Sequence, residues 1–198
     1  MKKIIFSLTF QLFIFSCLVQ DNTKTTFFKG EAGVLFGTST EYTGDGYSSR
    51  ARNLYHISAM VGKNIDSQLS IGLGADFNFF SQILQYQKNL LITPIFIHLQ
   101  YSFTEKPKTL FFYSSYGLAP KFGGNFYAGN AFNLGLGWKY KPKFLAHKTL
   151  SFSTGFNNTN VKNIYHEFID YNYGDFKSRF EYTKLNLKSL SLNVGISF

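Results

Sequence analysis

A histidine and a serine two positions apart, His56 and Ser58, form the pair in this chain that most resembles reactive chemistry. Residues at i and i+2 of a strand share one face, so a base and a hydroxyl nucleophile at this spacing could support acyl transfer. The neighbours Ile57 and Ala59 alternate with them, and this pattern turns His56 and Ser58 toward a polar interior. Interior hydrogen bonding is the alternative to catalysis, and it is the interpretation that we favour.

The four histidines do not show the spacing of a metal site. His147 falls in a predicted turn and His166 in a predicted long connection, remote in sequence from His56 and His98. The Gly-x-Gly pairs at positions 72/74 and 135/137 are not followed by a predicted helix, so they do not indicate phosphate-binding loops. The sequence predicts no catalytic residue, no metal and no cofactor.

Ionisable residues recur on the polar face of the predicted strands. Alternation places inward a group that we call the interior set: Lys29, Glu31, Asp76, His98 and Lys139. The pattern leaves open whether Lys141 and Lys188 also point inward. Charges removed from water need partners, and a small barrel has an interior only wide enough for its own side chains. We therefore expect a salt-bridged plug. The alternative is a narrow cationic or gated conduit.

Two long connections, residues 38–53 and 157–184, mix aromatic, basic and small polar residues. Their candidate binding residues are Tyr47, Arg50, Tyr171, Tyr173 and Arg179. Rigid aromatic rings give contact area and arginine gives directed hydrogen bonds, which together suit a protein or glycan ligand. The alternative is that these are ordinary polar connections in a chain that contains 13 tyrosines.

Strands must position all of these residues, because apolar and polar residues alternate in eight segments. In residues 69–79, for example, Ile71 and Leu73 oppose Ser70 and Gly72. The fifth segment is aromatic on both faces and its phase is ambiguous, while the eighth has a phase slip near residues 188–189 that we interpret as a bulge. The predicted strands are 28–36, 54–63, 69–79, 90–103, 110–121, 132–141, a seventh from residue 150, and 185–198.

The connections alternate in length, and this alternation predicts the topology. The links at 64–68, 104–109 and 142–149 are short, whereas 38–53 and 157–184 are long. Outer-membrane barrels have short periplasmic turns, longer external loops and both termini in the periplasm. Aromatic residues suited to the headgroup layer close several strands at the predicted periplasmic ends, namely Tyr101, Phe103, Trp138, Tyr140 and Phe198.

The first 20 residues predict a cleaved signal peptide, because Lys2 and Lys3 precede an apolar stretch and a polar exit. The only cysteine, Cys17, lies near the end of this segment. Two kinds of processing are compatible with the sequence here, namely ordinary signal cleavage and lipidation at Cys17. Residues 21–198 contain no second long apolar run, and the mean hydropathy is −0.08, which argues against a helical membrane protein. The net charge of +9 is spread along the chain rather than clustered, so we expect no nucleic-acid partner.

The segment with Pro94 and an aromatic exit, the charged Lys/Pro turn after it, and the terminal Gly195-Ile196-Ser197-Phe198 resemble a known family. The family is that of the eight-stranded outer-membrane β-barrel domain proteins found in Bacteroidetes-type bacteria. The resemblance implies an OmpA/OmpX-like barrel that the barrel-assembly machinery inserts through its last strand, with Phe198 as the assembly signal. Most members have no assigned activity, so the resemblance adds localisation and fold but little mechanism.

The sequence thus predicts an all-β protein, an eight-stranded antiparallel up-and-down transmembrane β-barrel in the outer membrane, preceded by a signal peptide. We expect a non-enzymatic protein with a filled lumen and a structural or surface-binding role. The first alternative is a narrow small-solute channel. The second is a lipid-modifying enzyme, because the His56–Ser58 spacing resembles that of lipid A deacylases. The expected partners are outer-membrane lipid or lipopolysaccharide, the barrel-assembly machinery, and a surface protein or glycan.

Overall fold

A computed structural model of the chain describes residues 26–42, 48–49, 54–80, 90–121, 127–145, 148–172 and 175–198. The predicted signal segment with Cys17 lies outside these residues, as do Tyr47, Arg50 and Tyr173. In the described ranges, no helix is long and apolar enough to cross a membrane. The strands are β1 (Thr26–Tyr42), β2 (Ser48–Ser49), β3 (Leu54–Asn64), β4 (Leu69–Phe80), β5 (Leu90–Ile92), β6 (Ile95–Ser102), β7 (Lys108–Ala119), β8 (Gly129–Tyr140), β9 (Thr149–Asn172) and β10 (Asp175–Ser197).

The strands form a closed antiparallel ring of eight wall strands, which confirms the predicted fold. The order around the ring is β1-β3-β4-β6-β7-β8-β9-β10, and β10 pairs with β1 to close it. The short strand β5 pairs with β4 and continues into β6 after Thr93 and Pro94, so the two together make one wall strand. The two-residue β2 pairs only with the end of β1. Ring closure gives every wall strand a hydrogen-bonded neighbour on each side.

The connections of the ring divide into two ends. Turns of a few residues join β3 to β4, β6 to β7 and β8 to β9, and the start of β1 and the end of β10 lie at the same end. We call this the short-turn end, and we call the opposite one the long-connection end. The β8–β9 turn contains a single turn of 3₁₀ helix at Lys143–Leu145.

Side chains alternate between the two faces of the wall, as the sequence predicts. Outside, large apolar side chains such as Ile57, Leu73, Ile97 and Leu136 are about half exposed, while their neighbours point into the ring and are buried. The same alternation fixes the phase of β7, which the sequence left ambiguous: Phe111 and Tyr113 point inward. A belt of exposed aliphatic and aromatic side chains therefore surrounds the wall.

The predicted phase slip in the last strand is wrong. Leu185, Leu187, Ser189 and Ser191 are all buried, so β10 keeps one phase from Leu185 onward. The slip was inferred because two leucines fall on the face that is polar elsewhere. The irregularity lies on the neighbouring strand, where the β1–β10 register shifts across residues 37–39 and the Thr38 hydroxyl donates a hydrogen bond to the Lys188 carbonyl oxygen (3.0 Å).

The predicted loop at residues 157–184 is also wrong, because β9 and β10 continue through it as a hairpin. Their pairing extends to Asp175 opposite Asn172. The partner strands stop much earlier, since β8 leaves β9 at Val161 and β1 leaves β10 at Leu185. Beyond those points the described strands that pair with β9 and β10 are β10 and β9 themselves, and one backbone hydrogen bond runs from the Lys162 N–H to the Ala128 carbonyl oxygen (2.8 Å). The backbone at Tyr171 and Arg179 is therefore strand within this hairpin extension, residues 162–184.

Candidate functional site

A small cavity of about 50 Å³ lies inside the ring among polar and aromatic side chains. Seven of the eight wall strands contribute to its lining, so the cavity forms only when the wall has curled into a ring. Its lining includes three members of the interior set, Glu31, Asp76 and His98, together with His56 and Tyr113. A polar space of this size has room for a few water molecules. This cavity and the side chains around it are the candidate functional site.

His56 is the centre of the strongest hydrogen-bonding group at the cavity. Its Nδ1 lies 3.1 Å from Oδ1 of Asp76 on the adjacent β4, and its Nε2 lies 2.7 Å from Oδ1 of Asn193 on β10. Asn78 donates from its side-chain nitrogen to the other Asp76 oxygen (3.2 Å). Both ring nitrogens of His56 thus face oxygen acceptors, an arrangement that a doubly protonated imidazole satisfies in full.

Asn193 reaches His56 only because a glycine separates them. Gly33 on β1 is paired with Asn193 on one side and with His56 on the other, so it stands between the two side chains. A Cβ atom placed on Gly33 would overlap both His56 Nε2 and Asn193 Oδ1. The amide nitrogen of Asn193 lies 3.2 Å from the Ser153 hydroxyl and 3.4 Å from that of Tyr113. The side chains of the group thereby come from five wall strands, and they cross the seam of the ring.

Lys29 and Glu31 form an ion pair along one strand. The Lys29 Nζ lies 2.6 Å from a Glu31 carboxylate oxygen, and both side chains are buried. The Lys29 ammonium also lies 5.7 Å from the centroid of the Phe111 ring, which reaches the interior from the far side of the barrel. Such a pair holds its charge inside the ring because each ion has its partner two residues away on the same face.

His98 has a different environment. Its ring stacks on Tyr113 with centroids 5.7 Å apart and meets Phe96 edge-on at 6.5 Å. Among the described residues, its Nε2 is buried without a hydrogen-bond partner, as are Asn133 Oδ1 and Asn157 Nδ2, and all three residues line the cavity. Buried polar atoms around a polar cavity are the positions that ordered water normally occupies.

Lys139 lies apart from the other four members of the interior set. Its Nζ donates to the Ser102 hydroxyl (2.6 Å) near the short-turn end, where Thr109 also accepts hydrogen bonds from the backbone and hydroxyl of Thr104. The structure thus distributes the interior set over a Lys29–Glu31 pair, a His56–Asp76 pair, a stacked His98 and a separate Lys139. Charges are paired between neighbours rather than across the lumen.

An apolar layer closes the long-connection end of the interior. Its buried members come from six wall strands, and Tyr127 packs against it: Leu35, Phe80, Ile92, Ala119, Val161, Leu185 and Leu187. The sequence missed this layer because aliphatic residues on the interior face are indistinguishable from a change of phase. It also missed Asn193 and Tyr113, although the alternation of the last strand already placed Asn193 inward.

Of the remaining predicted residues, Ser58 lines the cavity and Phe198 lies outside it. Phe198 pairs with Phe28 through two backbone hydrogen bonds of 2.8 and 3.2 Å, and their rings lie 6.3 Å apart at the short-turn end. Ser58 is buried on the interior face, but the Nε2 atom of His56 contacts Asn193 instead of a hydroxyl. Within the described ranges, no three His, Cys, Asp or Glu side chains are grouped so that they could hold a metal ion.

An antiparallel ring of eight strands with an apolar exterior and a charged, hydrogen-bonded interior defines the class of transmembrane β-barrels. In lipid every backbone polar group must be paired, and only closed barrels and helices achieve this. The exposed belt, which includes Ile57, Leu73, Ile97 and Leu136, provides the apolar outer surface that contact with lipid hydrocarbon requires.

The chain matches no protein-family model and no curated protein in sequence. Its backbone is similar to that of Neisserial surface protein A (TM-score 0.46, 11% identity, 85% of this chain and 96% of that one). It is also similar to the outer membrane protein OprG from Pseudomonas aeruginosa (0.48, 11%, 87% and 94%) and to outer membrane protein AlkL (0.34, 13%, 88% and 93%). At such low identities and TM-scores, these likenesses imply nothing about residues or activity in this chain.

Proposed function

We propose that this protein is an integral outer-membrane β-barrel without enzymatic activity, whose filled interior makes it a structural or surface-binding protein. Residues 1–20 serve as the signal peptide, both termini face the periplasm, and the long-connection end faces outward. The exterior belt supports residence in a membrane, and the difference in connection length between the two ends supports this orientation.

The filled interior is the observation that carries this proposal. From the long-connection end, the lumen contains the apolar layer with Leu185 and Leu187, then the polar groups around His56, and then Phe111. Phe111 is 1% exposed and Leu185 is 1% exposed, so both are enclosed by other side chains. The space left among the described interior residues at the cavity is about 50 Å³. An eight-stranded wall is of the size at which side chains fill the interior.

The contacts of His56 support a non-enzymatic role. A base that activates a serine needs one ring nitrogen in reach of the hydroxyl and the other oriented by a carboxylate. His56 has the carboxylate, Asp76, but its second nitrogen is engaged by Asn193 at 2.7 Å. The pair also lies within the ring, whereas a lipid-modifying enzyme must meet its substrate from the membrane side. The lipid-modifying alternative is therefore less well supported than interior hydrogen bonding.

Conductance in planar bilayers tests the filled interior. The purified full-length protein should give no steady single-channel steps at neutral pH, with a general porin in the same bilayers as the positive control. Reproducible steps that change with Lys139→Glu, but not with Lys143→Glu on the exposed turn, would instead establish the channel alternative. The two variants change the net charge equally, so a difference between their conductances would mean that ions pass the lumen beside Lys139.

Surface binding is assigned to the long-connection end, where the hairpin extension 162–184 projects beyond the strands that neighbour it. Replacing residues 164–182 with a two-residue turn should leave a heat-modifiable, membrane-inserted barrel. A protein and glycan array then separates the two roles. Signals that are lost with the extension indicate surface binding, and an unchanged profile indicates a structural protein.

The assembly partner in this proposal is the barrel-assembly machinery, with Phe198 as its signal. Two backbone hydrogen bonds join Phe198 to Phe28, so this residue completes the seam between β10 and β1. Lipopolysaccharide and phospholipid are the surroundings of the exterior belt.

A further inference from the structure

Five exposed lysines are concentrated on one side of the short-turn end. They belong to the β6–β7 and β8–β9 turns and to the start of β7, and we call them the lysine rim: Lys106, Lys108, Lys141, Lys143 and Lys148. Within the described part of the chain, no carboxylate forms a salt bridge with any of the five. The acidic side chains at this end are engaged elsewhere, since Glu105 accepts a hydrogen bond from Ser67 and Asp66 accepts two from its own turn.

The rim lysines stand beside an aromatic platform. Trp138 stacks on Tyr140 with centroids 5.8 Å apart and on Phe152 at 6.3 Å, and Lys108 Nζ lies 5.0 Å from the centroid of the Tyr140 ring. Aromatic rings and lysine stems of this kind occupy the headgroup layer of a membrane, with the ammonium groups at the level of the phosphates.

The same arrangement recurs toward the seam of the barrel. Lys148 Nζ lies 5.0 Å from the Phe198 ring, and between the two lysine–aromatic pairs Phe144 is 82% exposed on the β8–β9 turn. An isolated phenylalanine with this exposure next to a membrane surface is suited to insertion among lipid chains. The platform therefore extends from Lys108 to Phe198 along one side of the barrel.

Hydrogen bonds hold the turns that carry the rim. The Lys141 N–H donates to the Pro107 carbonyl oxygen (2.9 Å), which joins the β8–β9 turn to the β6–β7 turn. Within the longer turn, the Leu145 N–H donates to the Pro142 oxygen (3.1 Å) and the Lys148 N–H to the Leu145 oxygen (2.7 Å). The backbone that carries the rim lysines is thus held relative to the aromatic rings before any ligand arrives, which lowers the ordering cost of binding.

We propose that the lysine rim is a binding site for the headgroups of anionic glycerophospholipids in the leaflet at the short-turn end. The inference rests on the proposed placement in a membrane and adds a lipid class and a location to it. Five unneutralised ammonium groups are complementary to phosphate-bearing anionic headgroups, and the exposed rings give the acyl region of the same lipid a surface. A zwitterionic lipid lacks the net charge that the rim attracts.

The single tryptophan of the chain, Trp138, reports on this site directly. The full-length protein is reconstituted in phosphatidylcholine vesicles that contain the same fraction of brominated phosphatidylglycerol or of brominated phosphatidylcholine. Bromine quenches Trp138 when its lipid is adjacent. We expect the anionic lipid to quench at least about threefold more effectively at low salt, and the preference to decline as salt screens the lysines.

Matched charge variants locate the preference. In the double variant Lys141→Gln/Lys143→Gln, the ratio of quenching by the anionic lipid to quenching by phosphatidylcholine should be close to one. Lys121→Gln/Lys162→Gln removes the same charge from exposed positions at the long-connection end and should leave the ratio unchanged. An equal loss in both double variants would overturn the proposal, because the attraction would then come from net charge alone.

The failure of this site can be told apart from failure of the proposed function. If the protein inserts, with heat-modifiable mobility and blue-shifted Trp138 emission, yet quenching is the same for both lipids, the lipid site is overturned and the membrane barrel stands. If it does not insert in any vesicle, the proposed function fails. Tighter binding to polyglutamate than to anionic vesicles, with the same dependence on Lys141 and Lys143, would overturn the lipid site in favour of an acidic protein partner.

Discussion

His56 and Asn193 are 137 positions apart in sequence, yet His56 Nε2 and Asn193 Oδ1 lie 2.7 Å apart across Gly33. The strands that carry them are not neighbours, because β1 runs between β3 and β10. The contact therefore joins three strands, including the pair that closes the ring, and it requires that the middle strand have no side chain at this point.

Gly33→Ala should destabilise the barrel by about 1–3 kcal/mol, because the new methyl group overlaps His56 and Asn193 and forces their hydrogen-bonded side chains apart. Urea unfolding in lipid vesicles, followed by Trp138 fluorescence, measures the change. Gly30→Ala on the same strand is the control, since its Cβ would meet nothing within 4 Å. Equal effects of the two substitutions would contradict the described packing.

His56→Ala should cost about 3 kcal/mol or more, because it leaves the Asp76 carboxylate without its cationic partner inside the ring. Asp76→Asn alone should cost less than His56→Ala alone, since the amide can still accept from a neutral His56. The double variant should recover part of the loss in a double-mutant cycle of unfolding free energies. Strict additivity of the two substitutions would indicate that the pair does not interact.

Leu134→Arg should destabilise the inserted barrel by about 2–4 kcal/mol, because its side chain faces hydrocarbon near the middle of β8. The matched substitution Leu110→Arg places the same charge on the outer face of β7 close to the short-turn end, where the cost falls to about 0–1 kcal/mol. Reversible unfolding in vesicles compares the two. A larger loss of unfolding free energy for Leu110→Arg than for Leu134→Arg would mean that the lipid hydrocarbon surrounds a different part of the wall.

The β3–β4 turn should respond to acid. Asp66 accepts hydrogen bonds from the backbone N–H groups of Leu69 (2.6 Å) and Gln68 (2.7 Å), and these lower the pKa of its carboxyl group from 3.8. The stabilisation is present in full above the ordinary pKa and is lost as the pH falls through the lower folded value. A carboxyl NMR titration should give a midpoint below 3.8, and Asp66→Ala should speed amide exchange at Gln68 and Leu69. An unshifted midpoint would mean that the turn lacks this cap.

Phe198→Lys should lower the yield of membrane-inserted protein in cells while leaving export unchanged, because it removes the proposed assembly signal and leaves the predicted signal peptide intact. The folded fraction is read from heat-modifiable mobility of the outer-membrane fraction. Phe144→Lys changes another exposed phenylalanine at the same end without touching the last strand, and should insert normally. Normal insertion of the Phe198 variant would remove the assembly role from this residue.

The alternation of residues predicted the wall because each strand meets two uniform environments, lipid outside and a polar interior inside. The prediction failed where one environment changes along the axis. Leu185 and Leu187 lie inward in the apolar layer, so their pattern looked like a slip, and Tyr113 was ambiguous because β7 has aromatic residues on both faces.

The interior contacts could not be predicted for a different reason. Alternation gives the face of a residue but not its partner, and the partner of His56 depends on the register of two strand pairs and on the glycine between them. The sequence predicts a loop over the hairpin extension because the neighbouring wall strands β8 and β1 end at its base, so no uniform environment imposes an alternating pattern there.

The pairing of β1 with β10 also sets the order of events during folding. Lys29 is opposite Ser197, so the first strand of the barrel finds its second partner only in the last one. Until β10 arrives, the outer edge of β1 exposes unsatisfied backbone groups, which favours association with other chains over a slow, distant closure. The period between export and closure is thus when this protein most needs to be kept from aggregating.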